Sequence, residues 1–154
     1  MSEPRETDER HTPKELFGWI EGQCGSFEQD VAATKKNALC PYWIDRETDG
    51  LTTDWMNRWF CNPPYSNIED WIAQAGAQAA AGRTGVMLVR SDTSTIWWAS
   101  AFDMATQIVF LRPRVRYFSP AGLQLGSPNF GSALIVFDRN VAMADPACTV
   151  RRWR

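Results

Sequence analysis

Apolar positions recur with helical spacing over residues 67–82, where Trp71, Ile72, Ala75 and Ala79 share one face and Ser66 or Asn67 stands at the capping position. A second helix is predicted to open at Thr12-Pro13. Thr12 serves as N-cap, Pro13 takes the first helical position, and Glu15 sits in the first turn. Leu16, Phe17 and Ile20 supply its apolar face, and Gly22 and Gly25 end it. Residues 95–102 form a third helix. Continuous apolar runs at 58–61, 84–90, 107–111 and 132–137 read instead as buried strands. Residues 26–33 read as a short strand running into a turn, 114–118 as a further strand, and 119–131 as a loop rich in Gly, Pro and Ser. Residues 34–57 are irregular. The run at 58–61 stops at Asn62-Pro63-Pro64, because neither proline has an N–H to offer a central strand.

Strands alternating with helices predict an α/β fold with a largely parallel sheet, closed by an antiparallel pair from 115–118 and 133–137. Such sheets hold ligands at the carboxyl ends of their strands. Asp30-Val31-Ala32-Ala33 and Asn62-Pro63-Pro64-Tyr65 both fall just past strand ends. Residues 1–11 read as a disordered polar arm and 12–154 as a single domain.

Composition adds limits. No stretch approaches the roughly 18 apolar residues of a membrane span, and the polar N-terminus is no secretory signal, so no membrane partner and a cytoplasmic location are expected. Cys24, Cys40, Cys61 and Cys148 form no C-x-x-C pair, and His11 is the only histidine. The thiols are therefore read as reduced, with no metal site. The net charge of −2 hides an asymmetry: residues before Pro113 carry 10 basic and 16 acidic groups, a balance of −6, whereas the rest carry 6 and 2, a balance of +4. A basic C-terminal part suits local contact with phosphates, and a solvated surface accounts for it equally well. Arg114 and Arg116 alternate along their strand and project to one face, as phosphate ligands or as plain exposed arginines.

Asn62-Pro63-Pro64-Tyr65 carries the most chemistry. The amino nitrogen of adenine is a poor nucleophile because its lone pair is delocalised into the ring. Two acceptors aimed at its two hydrogens help it become tetrahedral as it attacks. The Asn62 side-chain oxygen is one candidate and the Pro63 carbonyl the other, its direction fixed by Pro64. Such acceptors stabilise the charge that develops on nitrogen. Tyr65 offers a ring for a flipped base, worth roughly 1–3 kcal/mol by analogy with single-stranded binding. The alternative is a plain proline turn between a strand and a helix.

In order along the chain, Thr12-Pro13, Asp30-Val31-Ala32-Ala33, Asn37-Ala38-Leu39-Cys40-Pro41, Asp49-Gly50-Leu51 with Trp55, Cys61 to Ser66, and 130–137 resemble the phage-type DNA N-6-adenine methyltransferases. These are a small Dam-related family of class I methyltransferases. The resemblance spans 12–137. It implies a compact, truncated Rossmann-like sheet, S-adenosylmethionine as methyl donor, DNA as partner and no metal. It assigns Asn62, Pro63, Pro64 and Tyr65 to catalysis. It also implies that Asp30 and Ala32 end the cofactor-binding strand, that Thr12 and Pro13 close over the methionine moiety, and that Asp49 and Leu51 lie near the cofactor adenine. From the residues alone, Asp30 serves equally as a helix cap, Asp49-Gly50 as a turn and Thr12-Pro13 as a helix start.

The sequence also departs from common methyltransferases. No G-x-G follows the first strand, and about 25 residues between Ala33 and the strand before Asn62 are too few for two further strand–helix units. Homo-oligomerisation, or the segment 112–131, is then the expected source of DNA contacts. Other planar nitrogens (cytosine N4, RNA adenine, a protein glutamine) and a non-catalytic DNA-binding scaffold stay open as alternatives.

Overall fold

The computed structural model describes residues 9–138 and 146–154. Among these residues three α-helices and seven strands follow one another as α1 (Lys14–Cys24), β1 (Gln29–Asp30), β2 (Tyr42–Trp43), β3 (Arg58–Cys61), α2 (Ile68–Ala80), β4 (Thr84–Arg90), α3 (Ile96–Met104), β5 (Gln107–Arg112), β6 (Ser132–Phe137) and β7 (Ala147–Arg152). The strands form one sheet in the order β2-β1-β3-β4-β6-β5-β7. Pairing is parallel from β2 through β4 and again between β5 and β7. Only β6 is reversed, antiparallel to both β4 and β5. The expected mostly parallel α/β sheet with an antiparallel strand near its end is what forms.

The period-2 alternation of the strands divides the core between the two faces. Trp59 and Cys61 of β3, Met87 and Val89 of β4, and Ala133, Ile135 and Phe137 of β6 pack against α2 and α3. Phe60, Val86, Leu88 and Leu134 point the other way and meet Leu16, Phe17 and Ile20 of α1. Trp59 pairs across the ladder with Gly85, where a Cβ would overlap its indole. Of the tryptophans, Trp55, Trp59, Trp71, Trp98 and Trp153 are buried.

Several local expectations change. Residues 114–118 make no ladder: β6 already has β4 on one edge and β5 on the other, so no edge is left for them. Their alternation is real, since Val115 and Tyr117 are buried and Arg114 and Arg116 exposed, but it reflects packing beneath the sheet, with Phe118 bridging to His11 and to Gln124. The region 34–57 contributes β2, and a strand absent from the sequence reading, β7, adds the edge next to β5. Gly22 lies inside α1, which ends before Gly25 at φ 86°. Pro13, not Thr12, is the N-cap of that helix and no side chain caps it. Asn67 precedes α2 without a side-chain cap, whereas Thr95 caps α3 by accepting from Trp98 N–H. Residues 1–8 of the polar arm, and Arg139 of the basic C-terminal part, lie outside the described residues, whereas His11 is paired with Phe118 through both backbone groups.

Candidate active site

A cavity of about 390 Å³ opens at the carboxyl ends of β1, β2 and β3. It lies where the chain moves from β1 outward to β2 and then back across to β3, the position at which open α/β sheets bind ligands. Its volume suits a small-molecule site. Thr12, Asp30, Ala32, Asp49, Leu51, Asn62 and Pro64 all line it. Pro13 and Arg116 line a neighbouring depression instead.

Asn62 follows directly on β3. Its Nδ2 donates to the Arg10 carbonyl at 2.7 Å and to the Thr12 hydroxyl at 3.0 Å. Both amide hydrogens are therefore used, and Oδ1 is left as an acceptor at the cavity. This explains why Thr12 caps nothing: its hydroxyl oxygen is engaged by Asn62. Pro63 is buried, and its carbonyl accepts none of the loop hydrogen bonds. Pro64 holds φ −61° and ψ 136° and leads into a single 3-10 turn over Tyr65–Asn67, ahead of α2.

Asp30 is 4 % exposed. Burial raises its carboxyl to about 6, against the opposing pull of the Leu39 and Ala32 backbone N–H groups. The Leu39 N–H lies 3.3 Å from Oδ2. Among the described residues the ion pairs are Arg46–Glu9 and Arg83–Asp54, so none of the described cations pairs with Asp30. A buried carboxylate without a cationic partner is costly unless a ligand supplies one. Across the cavity the Trp71 indole N–H is buried and unpartnered. Asp30 caps no helix, which settles that alternative.

The loop after β2 is fixed by close approach. Asp49 has φ 65° and its Oδ1 accepts the Leu51 N–H at 3.0 Å. A Cβ on Gly50 would stand 2.5 Å from the Val31 carbonyl and 2.8 Å from the Trp71 ring, so only glycine fits there. The Gly50 carbonyl accepts from Trp55 Nε1 at 2.8 Å and from Gln74 Nε2 at 3.2 Å. The other wall is a reciprocal turn in which the Thr34 N–H donates to Asn37 Oδ1 at 2.7 Å. Asn37 Nδ2 lies 3.0 Å from His11 Nε2. An amide nitrogen only donates, so the ring must be neutral with its proton on Nδ1, and burial lowers its pKa accordingly.

Tyr65 stands beside this cavity rather than in its lining. Its ring lies edge-to-face with Phe130 at 6.4 Å. The Arg90 guanidinium sits 4.4 Å from the Tyr65 centroid and 4.2 Å from that of Phe130. A base can stack on that ring face only by displacing Arg90. The Tyr65 hydroxyl is buried without a hydrogen-bond partner, and burial raises its pKa. Arg114 and Arg116 donate to the carbonyls of Pro128 and Leu125 at 3.0 and 3.2 Å, so both hold down the loop 119–131.

From the sequence, Asn37 counts only as part of a family-like segment and Trp71 only as a helix-face residue, and Arg10 and Arg90 have no role at the site. Arg90 had a signal, as the charged residue closing an apolar strand at its carboxyl end. Arg10, in a polar arm, had none.

The site's parts combine a cavity with an unpaired carboxylate, an asparagine whose amide is turned by its neighbours, and an aromatic pair beside it. A family profile for DNA N-6-adenine-methyltransferase (Dam) matches residues 2–151. A DNA N-6-adenine-methyltransferase of Haemophilus phage HP1 is 30% identical over 132 residues, covering 82% of this chain and 76% of that protein. A protein of the same description from Escherichia phage T1 is 31% identical over 103 residues, 65% of this chain but only 43% of the relative. The chain thus matches less than half the length of the T1 relative. With the profile covering nearly all of the sequence, the chain belongs to the DNA N-6-adenine-methyltransferase (Dam) family.

Proposed function

We propose that this chain transfers a methyl group from S-adenosylmethionine to N6 of adenine in DNA, with Asn62-Pro63-Pro64-Tyr65 as its active-site turn. The observation that carries the proposal is the orientation of Asn62. Its donors are bound by Arg10 and Thr12, so its oxygen is held as an acceptor at the cavity.

The residues present fit the cofactor. Asp30 would offer a carboxylate to its ammonium or ribose hydroxyls, the cavity-lining Asp49 and Leu51 would hold its adenine, and the orphaned Trp71 N–H would offer a donor. Thr12 lines the cavity beside Asn62, and Pro13 follows it at the start of α1, outside the lining. When bound, S-adenosylmethionine supplies an electrophilic methyl on a sulfonium that leaves as a neutral thioether. Asn62 Oδ1 and the Pro63 carbonyl accept the two hydrogens of the target amine, and stabilise the positive charge that grows on nitrogen as it attacks. Tyr65 holds the flipped base by stacking once Arg90 has yielded that face. DNA is the macromolecular partner, reached through the Tyr65 side. Arg114, Arg116 and the loop they hold, or a second copy of the chain, extend the contact. A cytoplasmic setting, that of the host for a phage-encoded chain, goes with this substrate. No helix among the described residues is long and apolar enough to cross a membrane.

The test is Asn62→Ala. Methyl transfer to DNA should fall by about 10²–10³, the usual cost of one lost transition-state hydrogen bond of this kind, while S-adenosylhomocysteine affinity stays within a few-fold. Nucleoside analysis of the wild-type product should show N6-methyladenine. Label on cytosine N4 or on a protein amide would overturn the substrate, and full activity in the variant would overturn the mechanism.

A further inference from the structure

Two guanidinium groups converge on one phenylalanine ring next to the active-site turn. Arg90 Cζ lies 4.2 Å from the Phe130 centroid and Arg10 Cζ lies 5.2 Å from it. Neither arginine has a carboxylate partner among the described residues, where the ion pairs involve Arg46 and Arg83. The Nε atoms of both are buried with no acceptor. The Tyr65 hydroxyl between β3 and α2 is likewise buried and unpartnered. Like charges gathered in a half-buried place repel one another, and unmet guanidinium donors there carry a desolvation cost that cation–π contact offsets only in part. Such a constellation is completed by an anion with several acceptor oxygens, and a phosphodiester matches the guanidinium fork.

The position selects which anion. Arg90 closes β4 and covers the face of Tyr65, and it does not line the cofactor cavity. Arg10 links this place to the catalytic turn, since its own carbonyl accepts from Asn62 Nδ2 at 2.7 Å. An anion gripped by Arg10 would therefore steady the amide that presents Oδ1 to the substrate.

We propose that Arg10 and Arg90 form a phosphodiester-binding site for the DNA backbone at the target nucleotide. In the DNA-free protein Arg90 rests on Tyr65 and Phe130. When the extruded base takes its place on Tyr65, the guanidinium moves to the adjoining phosphate and joins Arg10 there. This rests on the reading of Tyr65 as the base platform. It assigns Arg10 and Arg90 as positioning residues, acting through the DNA backbone and Asn62 rather than on the reacting atoms.

The experiment measures DNA affinity as a function of salt, with S-adenosylhomocysteine present, for wild type, Arg10→Gln, Arg90→Gln, the double variant and Arg90→Lys. Each glutamine variant should lower the slope of log K against log salt by about 1, and the double variant by about 2. Arg90→Lys keeps the charge and should keep most of the slope. Calorimetric affinity for S-adenosylhomocysteine should be unchanged in Arg90→Gln and Arg90→Lys, because Arg90, unlike Arg10, lies outside the cofactor cavity, and thermal melting reports whether each variant folds. An unchanged slope in folded Arg90→Gln would overturn the proposal and leave Arg90 a packing residue. Unchanged slopes with weakened S-adenosylhomocysteine binding would overturn it in favour of the cofactor's carboxylate. Binding needs no turnover, so a wild-type protein that binds DNA with the expected slopes but methylates nothing would refute the catalytic reading alone.

Discussion

Asp30 shows how one residue can serve binding at the expense of stability. Its pKa of about 6 in the folded chain lies above the ordinary 3.8 because burial disfavours the ionised form. A group raised in this way favours folding most at pH below about 3.8, and that contribution is lost as the pH rises through about 6. Asp30→Asn cannot ionise and keeps an oxygen for the Leu39 N–H. Without cofactor it should therefore melt above wild type at pH 7.5, with about half of that difference gone at pH 5 and most of it gone only near pH 3.8. Cofactor affinity should move the opposite way. If the carboxylate meets the ammonium or ribose of the ligand, wild-type affinity climbs as the pH approaches about 6 and levels off above it. The asparagine variant should bind at least tenfold more weakly at pH 7.5. His11 faces the same cavity and is common to both proteins, so the difference between the two curves isolates Asp30. Calorimetry with S-adenosylhomocysteine across this range is the measurement, and equal affinities at pH 7.5 would remove Asp30 from the cofactor site.

At the scale of elements, the Asp49–Gly50 loop is where a small change should do most harm. Gly50→Ala places a methyl against the Val31 carbonyl and the Trp71 ring at once, and neither backbone nor buried indole can give way cheaply. A loss of about 1–3 kcal/mol of stability is expected, read by urea unfolding, together with weakened S-adenosylhomocysteine binding because the loop forms a cavity wall. A stable variant with normal affinity would show that the loop has slack.

Besides the short strand at 26–33, which contains β1, the elements legible in the sequence were those whose burial is written in their own residues: β3, β4, β5, β6 and the three helices. Tyr42 and Trp43 are both exposed and form a two-residue edge strand, too short to show any period. Strand β7 reads ACTVRR and is largely exposed, so β5 specifies it by offering an open edge rather than any apolar face of its own. Alternation at 114–118 reported a buried face correctly, but a buried face does not imply a ladder partner. The site divides in the same way. Asn62 stood out because it follows an apolar run, and Asp30 because it falls at a strand end and in a family-like segment, and the structure brings them to one cavity. The partners that turn the Asn62 amide, Arg10 and Thr12, come from 52 and 50 residues away in sequence, where local rules read only an arm and a helix cap.

For the molecule as a whole, the cavity matters because the chain meets itself there. Its walls come from the segment before α1, the ends of β1, β2 and β3, the first turns toward α2 and Pro120 of the long loop. No single foldable piece contains the site, so a ligand bound in it should act on the global unfolding equilibrium rather than on one loop. A ligand at 100 times its dissociation constant stabilises the folded state by about 2.7 kcal/mol. For a domain of this size each kcal/mol moves Tm by roughly 2–4 °C, so saturating S-adenosylhomocysteine should raise Tm by roughly 5–10 °C in one cooperative transition. The shift should survive Asn62→Ala, whose lost oxygen faces the substrate, and should shrink sharply in Asp30→Asn. It should also change little with salt, in contrast to DNA binding, which depends on counterion release. A shift confined to part of the transition would mean that the segments around the cavity unfold separately. No shift at millimolar ligand would mean that the cavity between Asp30 and Asn62 holds something other than the methyl donor.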